Sequence, residues 1–437
     1  MAGDLRSKML VSIAASLLAL IISSPSLFGS EAVFLQESGA GQPAVETDKL
    51  EIFSWWTAPG EKEGLEFLQE YFQDEYREIE VVNAAVEGGA GVNAKDVLKM
   101  RLLREDPPDA FQVHGGAELS DTFVAGDYIK PLTDLWQDKN WEDVYTDSLR
   151  ELVRVDGEYF SLPVAVHRSN RIWYNRDMLA EHGLKPPRTP KELIETAEIL
   201  SEAGEKPLAL GSRNLWPITH LFENLLVAEA EPAEYRALIS GRRSWQNQEV
   251  FRALEKLAEL FEYADDDHAG LTWHEACERV ARGEAAMTVM GTWSRGYFSA
   301  RGYEPGEDYG SVPLQGEEET FLKVVDTFAV PAAADNNYYN MRWLEFAARP
   351  EIQRRFTAIL GAVPPRSDID PSRLEAGIAA DRRQLEKQEL LPSLAHGAAA
   401  REVFVSALNE KLNEFLYHGD IENTAAEIDD IVTTYLP

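Results

Sequence analysis

The sequence has 437 residues, 44% hydrophobic and 27% charged, a globular mixture that excludes a disordered tail or a fibrous repeat and is long enough for about two to four domains. Acidic residues outnumber basic ones by 75 to 42, a formal net charge of −33 that repels phosphate backbones and anionic lipid heads and so argues against nucleic acid and membrane surfaces as partners. A single cysteine, Cys277, closes no intrachain disulfide and builds no thiolate zinc site.

Residues 1–32 read as a signal peptide. Arg6 and Lys8 precede an apolar run from Met9 to Ile22, too short for a span of about 20 residues and right for the hydrophobic region of an export signal. Pro25 breaks the run, and Ser30 with Ala32 supplies small residues for cleavage. The alternative is an uncleaved N-terminal anchor. No cysteine follows the run, so no lipid anchor is expected, and the mature chain is expected in the periplasm. Residues 33–48 read as a loose leader.

The first strand is predicted over 50–56, followed by a helix opened by Gly60 and Glu61 that carries Leu65, Leu68, Phe72 and Tyr76 at helical spacing. A strand at 79–86, a turn with Gly88, Gly89 and Gly91, a helix at 93–104 and a strand at 110–114 complete a strand–helix alternation, the pattern of a parallel sheet faced by helices. A second α/β unit repeats the theme. Its strands fall near 159–166, 171–175, 207–211 and 285–291, with helices near 189–203, 218–230, 247–263 and 272–282. An extended stretch at 321–331 leads to helices near 336–348 and 350–359, then to the turn Gly361-Ala-Val-Pro-Pro365. The C-terminus is predicted helical, with stripes Val403, Leu408, Leu412, Phe415 and Ile421, Ile428, Ile431.

Catalytic signatures fail in turn. Gly88 to Lys95 lacks the Gly-Lys-Ser/Thr ending of a phosphate loop, and His274-Glu275-Ala-Cys-Glu278 has a glutamate where a zinc-protease helix has its second histidine. No Gly-x-Ser-x-Gly elbow occurs, and nothing singles out a carboxylate pair for glycoside hydrolysis. No catalytic residue, metal or cofactor is therefore expected.

Aromatic placement is more informative. Trp55 and Trp56 end the first predicted strand, at the sheet edge where open α/β folds bind ligands. An indole face suits the C–H face of a pyranose, and carboxylates, amides and lysines suit its hydroxyls. Neighbouring strand side chains point opposite ways, so at least one of the pair is expected to serve as structural support. Trp293 follows another apolar strand, where core and cleft are both open to it.

Several motifs carry a family resemblance: Trp55-Trp56-x-x-x-Gly-Glu61, Leu98-Lys99 followed by Pro107-Pro108-Asp, and Phe111-Gln-Val-His114. With them go Tyr159-Phe-Ser-Leu-Pro-Val-Ala-Val-His167, Trp173-Tyr-Asn175, Met290-Gly-Thr-Trp293 and Val325-Asp326-Thr-Phe. In this order they resemble the extracellular solute-binding proteins (family 1) of sugar ABC transporters, nearest the glucose/mannose-binding subgroup. The resemblance spans residue 50 to the C-terminal helices. It implies a two-lobed periplasmic binding protein fold (type II-like) with crossing hinge strands near 164–172 and 322–332 and a helical C-terminus. The lobes are expected at 49–163 plus 326–370 and 164–325 plus 371–437. It further implies a monomeric receptor that holds a monosaccharide between its lobes and delivers it to a membrane permease. Alternatives are a disaccharide or glycosylated compatible solute as ligand, or a secreted carbohydrate-active enzyme.

The resemblance assigns Trp55, Trp56, Glu61 and Lys99 to the sugar from the first lobe, and Trp293 and Asp326 from the second lobe and hinge. His114 and His396 match positions facing the ligand. A satisfied structural histidine fits the first equally, and a helix-start cap or packing role is the alternative for the second. A hinge-strand cap remains open for Asp326, whose burial is expensive unless it is paired. The subgroup's lysine before the turn at Gly361 is missing here, with Arg366 a candidate substitute, while Lys62 and Arg295 read as solvated or support residues.

Overall fold

A computed structural model of the chain describes residues 49–88, 92–316, 319–334 and 337–436. The expected signal segment 1–32, the leader 33–48, and Gly89 and Gly91 of the expected turn lie outside the described residues.

The chain opens with β1 (Lys49–Phe53), α1 (Glu61–Glu75), β2 (Glu80–Asn83), α2 (Val92–Leu103) and β3 (Ala110–His114). Short helices α3 (Thr133–Asp138) and α4 (Asp147–Arg150) and the hairpin of β4 (Arg154–Val155) and β5 (Glu158–Tyr159) lead to β6 (Ser161–Arg168) and β7 (Arg171–Asn175). Six helices follow: α5 (Arg176–Glu181), α6 (Pro190–Glu202), α7 (Trp216–Glu229), α8 (Pro232–Ile239), α9 (Gln248–Phe261) and α10 (Trp273–Ala281). Then come β8 (Met287–Val289), α11 (Trp293–Ala300), β9 (Tyr309–Pro313), β10 (Thr320–Ala329), α12 (Asn337–Ala347), α13 (Pro350–Leu360), α14 (Ala376–Leu385), β11 (Glu389–Pro392), α15 (Glu402–His418) and α16 (Ile421–Tyr435).

The main sheet runs β11-β10-β3-β1-β2, with β6 on the other side of β10. β1 pairs in parallel with β2 and β3, the arrangement the strand–helix alternation predicts. β10 runs antiparallel to both β3 and β6. The second sheet differs from expectation: β7 lies between β8 and β9 and is antiparallel to both, and the predicted strand at 207–211 is reduced to isolated bridges at Leu208. Apolar patterning marks a strand but is blind to its direction, which the connections decide.

Two large apolar cores result, beside three smaller clusters among the described residues. The first joins Leu50, Phe72, Phe111, Trp136 and Ala165 to Phe328, Trp343, Phe356 and Leu360. The second joins Ile172, Phe222, Leu257 and Leu322 to Leu391, Phe404, Leu412 and Ile428, so the helical C-terminus completes it. Helix α9 shows how sequence builds this core. Asn247 accepts from the Val250 amide as N-cap, and Val250, Ala253, Leu254, Leu257 and Leu260 then fall on one buried stripe.

β6 and β10 connect the cores, contributing Leu162, Val164 and Phe328 to the first while Leu322 enters the second. Beside them lies a buried ion cluster. Asp381 on α14 accepts from Arg171 on β7 and, at 2.6 Å, from Arg295 on α11, whose other nitrogen bonds the Gly361 carbonyl at 2.6 Å. The two guanidiniums hold the Asp381 carboxyl below its usual range against the effect of burial. Arg295 is thus a support residue, one of the two roles its sequence left open. Asp381→Ala leaves two buried guanidiniums unpaired and is expected to cost about 3–5 kcal/mol in chemical denaturation.

Candidate functional site

Past β1 the chain is held by the Gln112 side-chain amide and by the Val86 N–H, which donates to the Ser54 carbonyl at 2.9 Å. Gln112 on β3 accepts on Oε1 from Ser54 Oγ (2.6 Å) and the Trp55 backbone N–H (3.3 Å), while Ser54 Oγ in turn accepts from the Trp56 N–H (3.0 Å). With its oxygen so engaged, Gln112 turns its Nε2 to Asp326 Oδ1 at 2.7 Å. This chain of bonds ties the tryptophan pair to the middle of β10.

Around Asp326 lies a small cavity of about 30 Å³, room for about two water molecules in this conformation. Trp55, Trp56, Glu61, His114, Trp293, Asp326 and His396 line it together. The structure thereby brings together seven of the eight residues singled out from the sequence. Lys99 is the exception: it pairs with Glu402 at 2.9 Å and Asp96 at 3.3 Å. One helical turn earlier, Lys95 turns inward, bonding Glu118 at 2.6 Å with its ammonium 5.4 Å from the Trp55 ring. Arg366 pairs with Asp368 instead of lining the cavity.

His167, Trp216, Trp273 and Val324 also line the cavity and were missed. His167 closes the motif Tyr159 to His167, so its signal is local in the sequence. Trp216 and Trp273 each begin a helix, and nothing local distinguishes a tryptophan there that faces a cavity from one that packs a core. Glu275, from the failed zinc motif, accepts from the Thr272 amide as part of a capping box. Among the described residues, no group of His, Cys, Asp or Glu could hold a metal.

The two tryptophans of the pair differ in surroundings. Trp56 packs on Phe328 and Phe356, with ring centroids 5.9 and 5.3 Å away, and so belongs to the first core as well as the wall. Trp55 leans on His114 at 4.8 Å. Trp293, first residue of α11, meets His396 at 4.9 Å and His167 at 5.6 Å.

Asp326, His114, His167 and His396 of the lining are buried. Burial pushes the Asp326 carboxyl upward, opposed by His114 and by the Gln112 bond. His114 Nε2 stands 3.7 Å from one carboxylate oxygen and His167 Nε2 3.5 Å from the other. Burial takes His167 down to about 3, so it is neutral at physiological pH, with Nδ1 bonded to Thr292 Oγ1 at 3.0 Å. Glu118 behaves oppositely: burial would raise it, but Lys95 and His114 hold it at about 2. At the start of α1, burial and then the Asp326 charge push Glu61 up to about 8. With its value near 8, Glu61 is mostly protonated at neutral pH and puts a hydroxyl donor into the lining.

This architecture, two α/β lobes joined by crossing strands with an aromatic, polar-flecked cavity beside the crossing, is that of the periplasmic binding protein fold. Residues 48–354 match the family described as bacterial extracellular solute-binding protein, and the chain belongs to it. An uncharacterized ABC transporter extracellular-binding protein of Pyrococcus horikoshii is 38% identical over 387 residues, covering 88% of this chain and 87% of the relative. A protein of Brucella suis named probable sugar-binding periplasmic protein is 28% identical over 362 residues, covering 82% and 85%. Among solved structures, a bacterial solute receptor with an exclusive preference for β-D-galactopyranose superposes with a TM-score of 0.78 at 16% identity, over 89% of this chain and 99% of that one. No helix among the described residues is long and apolar enough to cross a membrane.

Glu61 makes stability depend on pH with a definite sign. Its folded value lies above its unfolded value of 4.5, so its contribution is full below about 4.5 and is lost as pH rises through about 8. Glu61→Gln is expected to flatten the decline in melting temperature between pH 5 and 9, measured on unliganded protein.

Proposed function

We propose that this chain is an exported, periplasmic receptor, monomeric and without a lipid anchor. In this reading it captures a monosaccharide, glucose or mannose first among candidates, and delivers it unaltered to the permease of an ABC importer. The observation that carries the reading is the cavity lining: indole faces of Trp55, Trp56 and Trp293 stand around the buried carboxylate of Asp326 and the imidazole of His396. Flat apolar walls with a few convergent polar groups suit a pyranose, whose ring has one C–H face and a rim of hydroxyls. Trp216 adds a hint of its own, since its buried Nε1–H has no partner among the described residues. A buried N–H of this kind is rare unless a ligand or water completes it.

In this proposal the lobes, 49–163 plus 326–370 and 164–325 plus 371–437, rotate about β6 and β10. Sugar bound to both stabilises the closed form through contacts the open form lacks, and the permease reads that closure. Asp326 accepts from sugar hydroxyls, Glu61 and His396 bond the rim, and Trp55 and Trp293 flank the ring. Affinity in the micromolar range, about 8 kcal/mol, suits capture followed by release.

Titration with D-glucose, D-mannose, D-galactose and maltose, followed by tryptophan quenching and calorimetry, tests this reading. Saturable binding of a monosaccharide without product is the expected result. Preference for maltose would move the ligand to a disaccharide, and turnover of a chromogenic glycoside would make the protein an enzyme. Trp55→Ala is expected to weaken binding by about 2 kcal/mol, or thirtyfold, and, because the ring also belongs to the first core, to lower the unliganded melting temperature. Asp326→Asn keeps the shape but exchanges a charge-assisted acceptor for an amide, and is expected to weaken binding at least about tenfold. If both variants bind every sugar as the wild type does, the cavity is not the sugar site.

A further inference from the structure

Two side chains one turn apart on α7 converge on the loop that carries His396. Glu223 is fully buried and accepts from Ser393 Oγ (2.9 Å), the Ala395 amide (3.3 Å) and the Leu394 amide, with the Tyr235 hydroxyl at 2.6 Å as a fourth donor. These donors belong to the three residues immediately before His396 and to α8. Burial lifts Glu223 to about 7 in spite of them. A carboxylate is rarely sunk so deep for packing alone, since an apolar side chain of equal size fills space without the desolvation cost.

His220 acts one turn earlier. Its Nδ1 lies 3.2 Å from His396 Nε2 and 3.2 Å from Ser169 Oγ, while its buried Nε2 has no partner among the described residues. Burial keeps both imidazoles neutral: His220 is lowered to about 3 and His396 well below its usual value. One proton therefore lies between them, and its owner follows from the orphan. Were His220 protonated on Nε2, a buried N–H would go unbonded; protonated on Nδ1, it leaves only a lone pair there, which costs less. His220 then donates to His396 Nε2, and the proton of His396 is placed on Nδ1.

We propose that Glu223 and His220 are positioning residues for ligand binding: Glu223 clamps the backbone at 393–395, and His220 dictates that His396 presents Nδ1–H as a donor. This rests on the reading of the cavity as a sugar site, and it assigns the recognition chemistry of His396 to helix α7 rather than to its own loop.

The test combines binding and spectroscopy on the whole protein. Glu223→Gln and His220→Phe are each expected to weaken D-glucose binding at least about fivefold, measured by calorimetry, and to lose that effect, to within twofold, in a His396→Ala background. In unliganded protein labelled with 15N-histidine, His396, assigned by its loss in His396→Ala, is expected to show the Nδ1–H tautomer in the wild type. In His220→Phe it is expected to lose that pattern. An equal loss of affinity with and without His396 overturns the proposal, as does an Nε2–H tautomer in the wild type. Failure of the wild type to bind any sugar defeats the receptor reading instead, and the tautomer measurement then still decides whether α7 positions His396.

Discussion

Asp326 sits inside a ten-residue strand whose every side chain is buried. A carboxyl group there needs polar partners around it, and the structure assembles them from both sides of the strand. Gln112 and His114 come from β3, and His167 from β6, two of the three strands that pair with β10. The same demand propagates outward. Gln112 uses its other face to fix Ser54 and Trp55, and His114 leans on Glu118, which is itself held ionised by Lys95. One buried carboxyl group thus organises the tryptophan pair, the end of β3 and the inner face of α2. A strand that merely joined two lobes would be better served by an apolar residue, so the expense points to use.

The order of elements was largely legible because it rests on periodicity and on punctuation by proline and glycine. Helix α6 begins at Pro190 behind the capping hydroxyl of Thr189, and α13 ends at Gly361 with φ of 72°. Legibility failed where the answer depends on partners far away in the chain. The direction of β7 relative to β8 and β9 is one case. The start of α15 is another: Val403 was read as part of the apolar stripe, yet it is exposed while Phe404 and Val405 face the second core. A one-residue drift at a helix start moves the stripe by about 100°, and no cap residue marked the position.

Site residues were legible in proportion to their chemistry. Tryptophans at strand ends and an aspartate in an apolar run are locally odd, and oddness can be seen without a fold. Lys99 and Lys95 show the opposite limit. Both are lysines on α2, four residues apart and so nearly on one face, and only the packing of Glu118 against one and Glu402 against the other separates the inner from the outer. His220 and Glu223 were invisible for a similar reason. They lie in the apolar helix α7, and their partners are some 170 residues away.

The approach of α1, α11 and the end of α13 beside the cavity is made possible by an absence of side chains. Gly60, the N-cap of α1, has φ of 86°, and a Cβ there would stand 2.4 Å from the carbonyl carbon of Gly296 on α11. A Cβ on Gly296 would meet the backbone of Ile359 and Leu360 at 2.7 Å, and one on Gly361 would meet the Gly296 amide at 2.7 Å. Three glycines distant in sequence therefore let α1, α11 and the end of α13 touch backbone to backbone. Glu61 follows the first directly, and Trp293 starts the helix that carries the second, so this seam decides how near those two side chains can stand. Any side chain at Gly60 or Gly296 acts as a wedge on α1 and α11. The site's closeness is therefore set as much by what these positions lack as by what its lining contributes.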